Sequence, residues 1–174
     1  KELDKKIFEF NKIFAGYTVF QSEFSFNEHK KMGLNYDKNK VKIINNTPDP
    51  EIFNSNKKSP LNEKKIKIIA SSWSSNERKG KKTYEWLDKN LDFKKYQFTF
   101  VGNINSKLKN IKVIKPKNSI ELSRILQKHD IYITASENDP CSNALLEGLA
   151  CGLPAVYLDS GGHSEIVKKA GFSF

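Results

Sequence analysis

Residues 131–158 read IYITASENDPCSNALLEGLACGLPAVYL. The run 131–135 is short, apolar and rich in β-formers, which predicts a strand. A polar passage follows, and residues 142–151 then predict a helix in which Glu147 stands among Leu145, Leu146, Leu149 and Ala150. A second strand is predicted over 154–158. Strand, helix of about ten residues and strand make the crossover unit of a parallel sheet.

The same alternation extends outward in both directions. Upstream it predicts strands over 66–70, 96–102 and 111–114, with helices over 79–89 and 119–128; downstream it predicts a helix over 164–170. Asn118 with Glu121 three residues on forms a capping pair for the helix from 119, and Leu122, Ile125 and Leu126 form its buried stripe. The fold class is α/β, a Rossmann-like, doubly wound, mostly parallel sheet. Before it, residues 2–14 carry Leu3, Ile7, Phe8, Phe10, Ile13 and Phe14 at roughly helical spacing. A strand over 17–20 and a helix opened by Ser25 and closed at Gly33 come next. The run from Val41 is broken by Asn45, Asn46, Pro48 and Pro50, and the prolines stiffen it. The domain boundary is therefore placed here, with residues 1–48 as the end of one domain and its linker, and 49–174 as a second domain.

The 174 residues hold 30 Lys+Arg against 20 Asp+Glu, 37% hydrophobic and 11% aromatic residues, 9 Gly and 6 Pro. Such a composition excludes disordered and collagen-like chains. No apolar run approaches the roughly 20 residues that cross a bilayer. Only two of the basic residues are Arg, at Arg78 and Arg124, and the net charge of +10 reads as a solvated lysine face. Clusters such as Lys64, Lys65 and Lys67 could meet phosphates, but the Arg and interleaved aromatics of nucleic-acid readers are absent, so nucleic acid is not the expected partner. Two cysteines, Cys141 and Cys151, make no disulfide framework and agree with a cytoplasmic setting. The chain begins at Lys1 without a signal pattern and reads as a piece of something longer.

Ligands of doubly wound sheets bind at the carboxyl ends of the strands. Three loops lie there in this reading. The loop from Ser71 places Arg78 and Lys79 at the mouth of a helix, where a guanidinium fork suits phosphate. The loop from Ser136 places Asp139 before a helix whose first turn offers backbone N–H groups near Ser142 and Asn143, a natural anion seat. Glu147 is the only charge between residues 140 and 156, and a carboxylate in apolar company needs donors such as a pair of sugar hydroxyls. A plain turn residue at Asp139 and a partly exposed helix residue at Glu147 fit the spacing equally well. The loop from Asp159 holds Gly161 and Gly162, which admit close backbone approach or serve a tight turn, and His163, the one histidine in a candidate site. His129 is read as ending a helix, where a cation is favourable. No metal-ligand spacing, dinucleotide glycine motif or triphosphate loop occurs.

Assembled, these loops give residues 66–174 a resemblance to the C-terminal, donor-binding domain of retaining glycosyltransferases of family 4, which have the GT-B architecture of two facing Rossmann-like domains. DPCSNALLE (139–147) resembles the family's acidic residue, seven-residue spacer and Glu. GLACGLPAV (148–156), GGHSEIV (161–167) and SSNERKG (74–80) are similar to its helix end, glycine-pair loop and basic loop. TVFQSEFS (18–25) and VKIINNTPDPEIF (41–53) resemble the last strand of the acceptor domain and the linker.

The resemblance implies that Glu147 holds the ribose hydroxyls of a nucleotide sugar and that Asp139 contacts the donor sugar. Backbone groups of Cys141, Ser142 and Asn143 and the loop of Gly161, Gly162 and His163 complete the donor site, while Arg78 and Lys79 neutralise the diphosphate. Asp139, Arg78 and Lys79 are the catalytic candidates, and no metal or other cofactor is implied. Asp139 replaces the commoner Glu, and Ser74 stands where the family usually has Arg. The implied reaction is transfer of a sugar, with retention, to a glycan, polysaccharide or lipid-linked hydroxyl held by the other domain, with peripheral membrane contact. This piece alone is expected to bind donor and transfer nothing. A non-catalytic sugar-nucleotide-binding or scaffolding domain, and a sugar-nucleotide epimerase of the same fold, are the alternative readings.

Overall fold

The computed structural model describes residues 2–60 and 64–174. The polar passage expected to run to residue 65 therefore lies partly outside the described residues. Two compact units are present, Lys1–Asn46 and Thr47–Phe174.

In the first unit, α1 (Glu2–Phe14) and α2 (Glu23–Lys31) accompany a parallel pair of strands, β1 (Thr18–Phe20) and β2 (Val41–Ile43). Phe8, Phe20, His29 and Tyr36 pack edge to face at its centre, with Phe26 tilted against Phe20. Ser22, not Ser25, caps α2: its hydroxyl accepts the Ser25 N–H at 3.0 Å, the usual reach from the cap to the third helical residue.

The second unit is a fully parallel sheet of β3 (Ile66–Ser72), β4 (Tyr96–Gly102), β5 (Lys112–Ile114), β6 (Ile131–Thr134), β7 (Ala155–Tyr157) and β8 (Gly171–Ser173). These six, among the described residues, run in the order β5-β4-β3-β6-β7-β8. The chain winds outward from β3 to β5, crosses back, and winds outward again from β6, so the order reverses between β3 and β6. Side chains alternate across the strands. Ile68, Ala70, Phe98, Phe100 and Ile133 face one layer with Tyr84 of α3 (Lys81–Asn90). Ile69, Val101 and Tyr132 face the other, with Leu122 and Leu126 of α4 (Ser119–Leu126) and Leu145 of α5 (Asn143–Ala150). Burial on both faces is what makes these strands nearly continuous apolar runs.

The proline-bearing segment after residue 47 packs on α4. Phe53 enters the core, the Ser123 hydroxyl donates to the Ile52 carbonyl at 2.5 Å, and Gln127 donates to the Asn54 carbonyl at 2.8 Å. Asn118 caps α4 by accepting the Glu121 N–H at 2.9 Å.

Three local readings are corrected. α3 starts at Lys81 because residues 77–79 form a 3-10 turn ended by Gly80 at φ +91°. α6 (His163–Val167) stops at Lys168, whose φ of +49° breaks the helix, and the chain turns into the edge strand β8, which was not anticipated. His129 is no helix-end cation: it is buried, with Nδ1 on the Ile125 carbonyl and Nε2 on the Thr99 hydroxyl, and burial lowers its pKa. No helix among the described residues is long and apolar enough to cross a membrane.

Candidate functional site

The loops that leave the carboxyl ends of β3, β6 and β7 interlock. After β3, the Ser72 hydroxyl donates to the Ser74 carbonyl, and Asn76 caps the 77–79 turn by accepting the Arg78 N–H at 3.0 Å. Gly80 lies against β6, where an added Cβ would sit 2.7 Å from the Ala135 methyl. The Glu137 N–H donates to the Arg78 carbonyl at 2.7 Å, which ties the first loop to the second. Arg78 itself points into solvent.

The second and third loops are joined by two further bonds. Asn138, at φ +53°, donates its N–H to the Ser160 hydroxyl at 2.9 Å, and the Gly162 N–H donates to the Asp139 carbonyl at 2.9 Å. Gly161 is held at φ +67°, and a Cβ there would lie 2.3 Å from the Asp139 carbonyl oxygen. The glycine pair thus serves to bring one loop against the other, with Asp139 at the junction.

Two of the catalytic candidates meet directly. Lys79 Nζ stands 2.8 Å from Asp139 Oδ2, and the Asp139 side chain is only 9% exposed. Spacing along the chain gave no sign of this pair, because 60 residues separate its members.

Ser142 caps α5, its hydroxyl accepting the Leu145 N–H at 3.4 Å. Cys141 and Ser142 are buried, while Asn143 faces outward at the helix start. One turn on, Glu147 is half-buried, and no donor among the described residues reaches its carboxylate. Burial pushes its pKa up to about 7. Gly148 lets α5 lie on the sheet, since a Cβ would stand 2.6 Å from the Tyr132 ring.

Glu147, Ala144 and Asn143 form one wall of a cavity of about 130 Å³ at the carboxyl ends of β3 and β4. Ser71, Ser72 and Trp73, Val101 and Gly102, and Pro116, Lys117 and Leu122 close the rest. Larger hollows, one of about 230 Å³ in the first unit and one of about 480 Å³ between residues 51–57 and α4, lie away from these strand ends.

His163 is not on the cavity wall. It is fully buried beneath the third loop, Nδ1 on the Leu158 carbonyl at 3.0 Å, with its Nε2 buried and unpartnered among the described residues. Sequence reading missed Trp73, Gly102 and Lys117 as cavity residues. The position of Trp73 directly after β3 was a usable signal; Lys117, one lysine among many, gave none.

Among the described residues, no three His, Cys, Asp or Glu side chains gather in a way that could hold a metal ion. The chemistry on offer is anionic and polar recognition: a carboxylate facing a cavity, a helix N-terminus, and cations at the adjoining loop.

Residues 66–174 match the family described as glycosyl transferases group 1. The chain belongs to this family. No curated protein matches it. Its fold is similar to that of a glycosyltransferase from Rickettsia africae, at 18% identity and a TM-score of 0.76 over 97% of this chain and 52% of that one. It is likewise similar to HepE of Anabaena, solved in complex with UDP-glucose, at 15% identity and a TM-score of 0.76 over 98% and 53%. A pneumococcal O-GlcNAc transferase, GtfA, solved with UDP and GlcNAc, matches at 17% identity and a TM-score of 0.66 over 94% and 34%. This group 1 chain spans about half the length of the first two. The parallel sheet, six-stranded among the described residues, matches a half of a GT-B glycosyltransferase fold.

Proposed function

We propose that this chain carries the donor-binding domain of a retaining, family 4 glycosyltransferase that moves a sugar from a nucleoside-diphosphate sugar to an acceptor hydroxyl. The observation that carries the reading is Glu147, a half-buried carboxylate without a donor, facing a cavity at the strand ends of a group 1 glycosyltransferase domain. Ribose hydroxyls supply the missing donors. The solved neighbours whose descriptions name UDP-glucose, or UDP and GlcNAc, support a nucleotide sugar as the ligand class.

The diphosphate then lies at the N-terminus of α5, where the N–H groups around Asn143 and the helix dipole favour negative charge. Arg78 is free to swing from solvent toward it. Lys79 has a double task, holding Asp139 with one N–H and offering the others to a phosphate oxygen. As the bond from sugar to phosphate breaks, charge grows on the leaving diphosphate. We assign its stabilisation to these two cations and the helix terminus, with no metal ion required. Asp139 is assigned to the donor sugar's hydroxyls, and the loop of Gly161, Gly162 and His163 is assigned to fixing that contact.

In this reading residues 1–48 are the end of the acceptor domain and its linker. The acceptor, a glycan or lipid-linked hydroxyl, is met by the other half of the enzyme on the cytoplasmic side, and this chain alone transfers nothing. The test is calorimetric titration with nucleoside diphosphates and their sugar conjugates. Saturable binding that survives chelation of metal ions and is lost in Glu147→Ala is expected; a folded chain that binds none of them refutes the reading.

A further inference from the structure

Tyr132 connects two walls of the cavity beside Glu147. The residue is 1% exposed, and the base of its ring lies against α5: a Cβ added at Gly148, the residue after Glu147, would meet that ring at 2.6 Å. At the other end of the ring, the Tyr132 hydroxyl is 3.0 Å from the Ser71 hydroxyl on β3. Ser71 lines the cavity, as Glu147 does. Side chains alternate along β3, so Ser71 shares with Ile69 the face that packs with Tyr132, Leu122 and Leu145, and the cavity opens on that same side. A rigid ring thus fixes the Ser71 hydroxyl relative to the turn of α5 that carries Glu147.

The direction of the hydrogen bond decides what Ser71 offers. Burial holds the Tyr132 phenol well above its usual pKa, and the charge of Glu147 adds to this, so the phenol keeps its proton. Two acceptors stand near it among the described residues, the Ser71 hydroxyl oxygen at 3.0 Å and the Ser71 carbonyl at 3.5 Å. The second is at the limit of useful contact, so the phenol donates to the hydroxyl oxygen. The Ser71 proton is then turned out of that bond. No further partner for the Ser71 hydroxyl is present among the described residues, and the space beside it is the cavity.

A ribose hydroxyl that gives its one proton to Glu147 keeps oxygen lone pairs, and away from water these need a donor. Resting on the donor-site reading, we propose that Ser71 is a further ligand-binding residue whose O–H donates to a ribose hydroxyl held by Glu147, with Tyr132 positioning it. Glu147 accepts and Ser71 donates, so the two walls answer both halves of a hydroxyl. A nucleotide lacking its ribose hydroxyls leaves both groups without a partner.

The probes are UDP, GDP and ADP and their 2′,3′-dideoxy forms, which keep base and diphosphate and lack only the ribose hydroxyls. Calorimetric titration of the unsubstituted chain should give at least one ribonucleotide bound about 30-fold or more tighter than its dideoxy form. Ser71→Ala should cut that ratio about 3- to 10-fold, the size expected of one hydrogen bond. Tyr132→Phe keeps the ring against Gly148 and removes only the hydroxyl; it should cut the ratio in the same direction. The double variant should be no worse than Ser71→Ala, because Tyr132 acts through Ser71. Thermal unfolding checks that each variant is folded, and a Tyr132 hydroxyl kept for stability alone would lower the melting temperature and leave the ratio unchanged. A ratio untouched by either single substitution, or effects that simply multiply in the double variant, overturns the proposal while the donor site stands. A folded chain that binds none of the three nucleotides, or binds them no better than their dideoxy forms, overturns the donor-site reading and this contact with it.

Discussion

Replacing Glu147 with Gln should make the chain more stable at neutral and alkaline pH while removing nucleotide binding. The carboxyl is raised by burial from an ordinary 4.5 to about 7, so the folded state holds its proton more tightly than the unfolded state does. Below about pH 4.5 both states are protonated and folding costs nothing on this account. Between 4.5 and 7 the unfolded chain ionises while the folded one resists, and stability falls. Above 7 the full penalty is present. A completely sheltered carboxylate with this displacement would cost about 3 kcal/mol; Glu147 is half-buried at the cavity wall, and solvent screening leaves about 1–2 kcal/mol. Glutamine is neutral throughout, so Glu147→Gln should raise the melting temperature by about 3–6 °C at pH 8 and by nothing near pH 4.5. The assay is thermal unfolding of both chains across that pH range without nucleotide, paired with calorimetric titration of UDP and GDP at pH 8. A residue kept for packing would lose stability on substitution; one kept for a ligand gains it and loses the ligand. A variant that is less stable at pH 8, or whose gain does not vary with pH, refutes the argument.

The other predictions concern the supports of the site. In the unsubstituted chain, nucleotide affinity should be flat above pH 7 and fall about 10-fold per pH unit below it if, as proposed, ribose hydroxyls donate to the ionised Glu147; calorimetry at pH 6 and 8 reads this directly. Asp88→Ala should destabilise the chain by about 2–4 kcal/mol in urea unfolding, because its buried carboxylate accepts the N–H groups of Lys109, Asn110 and Ile111 at 2.7–2.9 Å. Burial alone would raise the Asp88 pKa, but those backbone donors outweigh it and hold it below the usual range, so its stabilisation is present above about pH 4 and lost as the pH falls further. Lys79→Ala strands Asp139 in a 9% exposed position and removes a cation from the proposed diphosphate site, so it should weaken nucleoside diphosphate binding by about 10-fold or more in titration. Gly161→Ala forces a Cβ to 2.3 Å from the Asp139 carbonyl at φ +67°; it should cost about 1–3 kcal/mol in urea unfolding and weaken nucleotide sugars more than bare nucleotides.

Periodicity carried most of the fold. Strands such as 96–102 were legible because both their faces are buried, and an uninterrupted run like YQFTFVG has no competing helical reading. β8 was not legible: GFS at the sheet edge is mostly exposed, with Phe172 81% accessible, so burial left no pattern in its sequence. The helix was drawn too far for the same reason, because nothing in Lys168 announces a positive φ. His129 was misread because a histidine after a helix is compatible with either a surface cation or a buried neutral ring, and only the Thr99 hydroxyl across the sheet decides.

The candidate site divides along the same line. Glu147 was legible as a lone charge in an apolar helix, a local anomaly that any tertiary arrangement has to resolve. The Lys79–Asp139 pair and the Gly161 contact with Asp139 are products of topology: the reversal of strand order brings the loops after β3 and β6 together, and the β7 loop closes on them from the far side. Asp139 consequently has three neighbours that no spacing rule connects, Lys79 at its carboxylate, Gly162 at its carbonyl and Ser160 at the preceding N–H. The carboxylate is therefore held by Lys79, and the backbone that carries it by the third loop. In the proposed donor site, a sugar contact by Asp139 would be made from this one fixed position. Asp139→Glu would lengthen the side chain against those same anchors, and it should disturb sugar recognition more than nucleotide recognition.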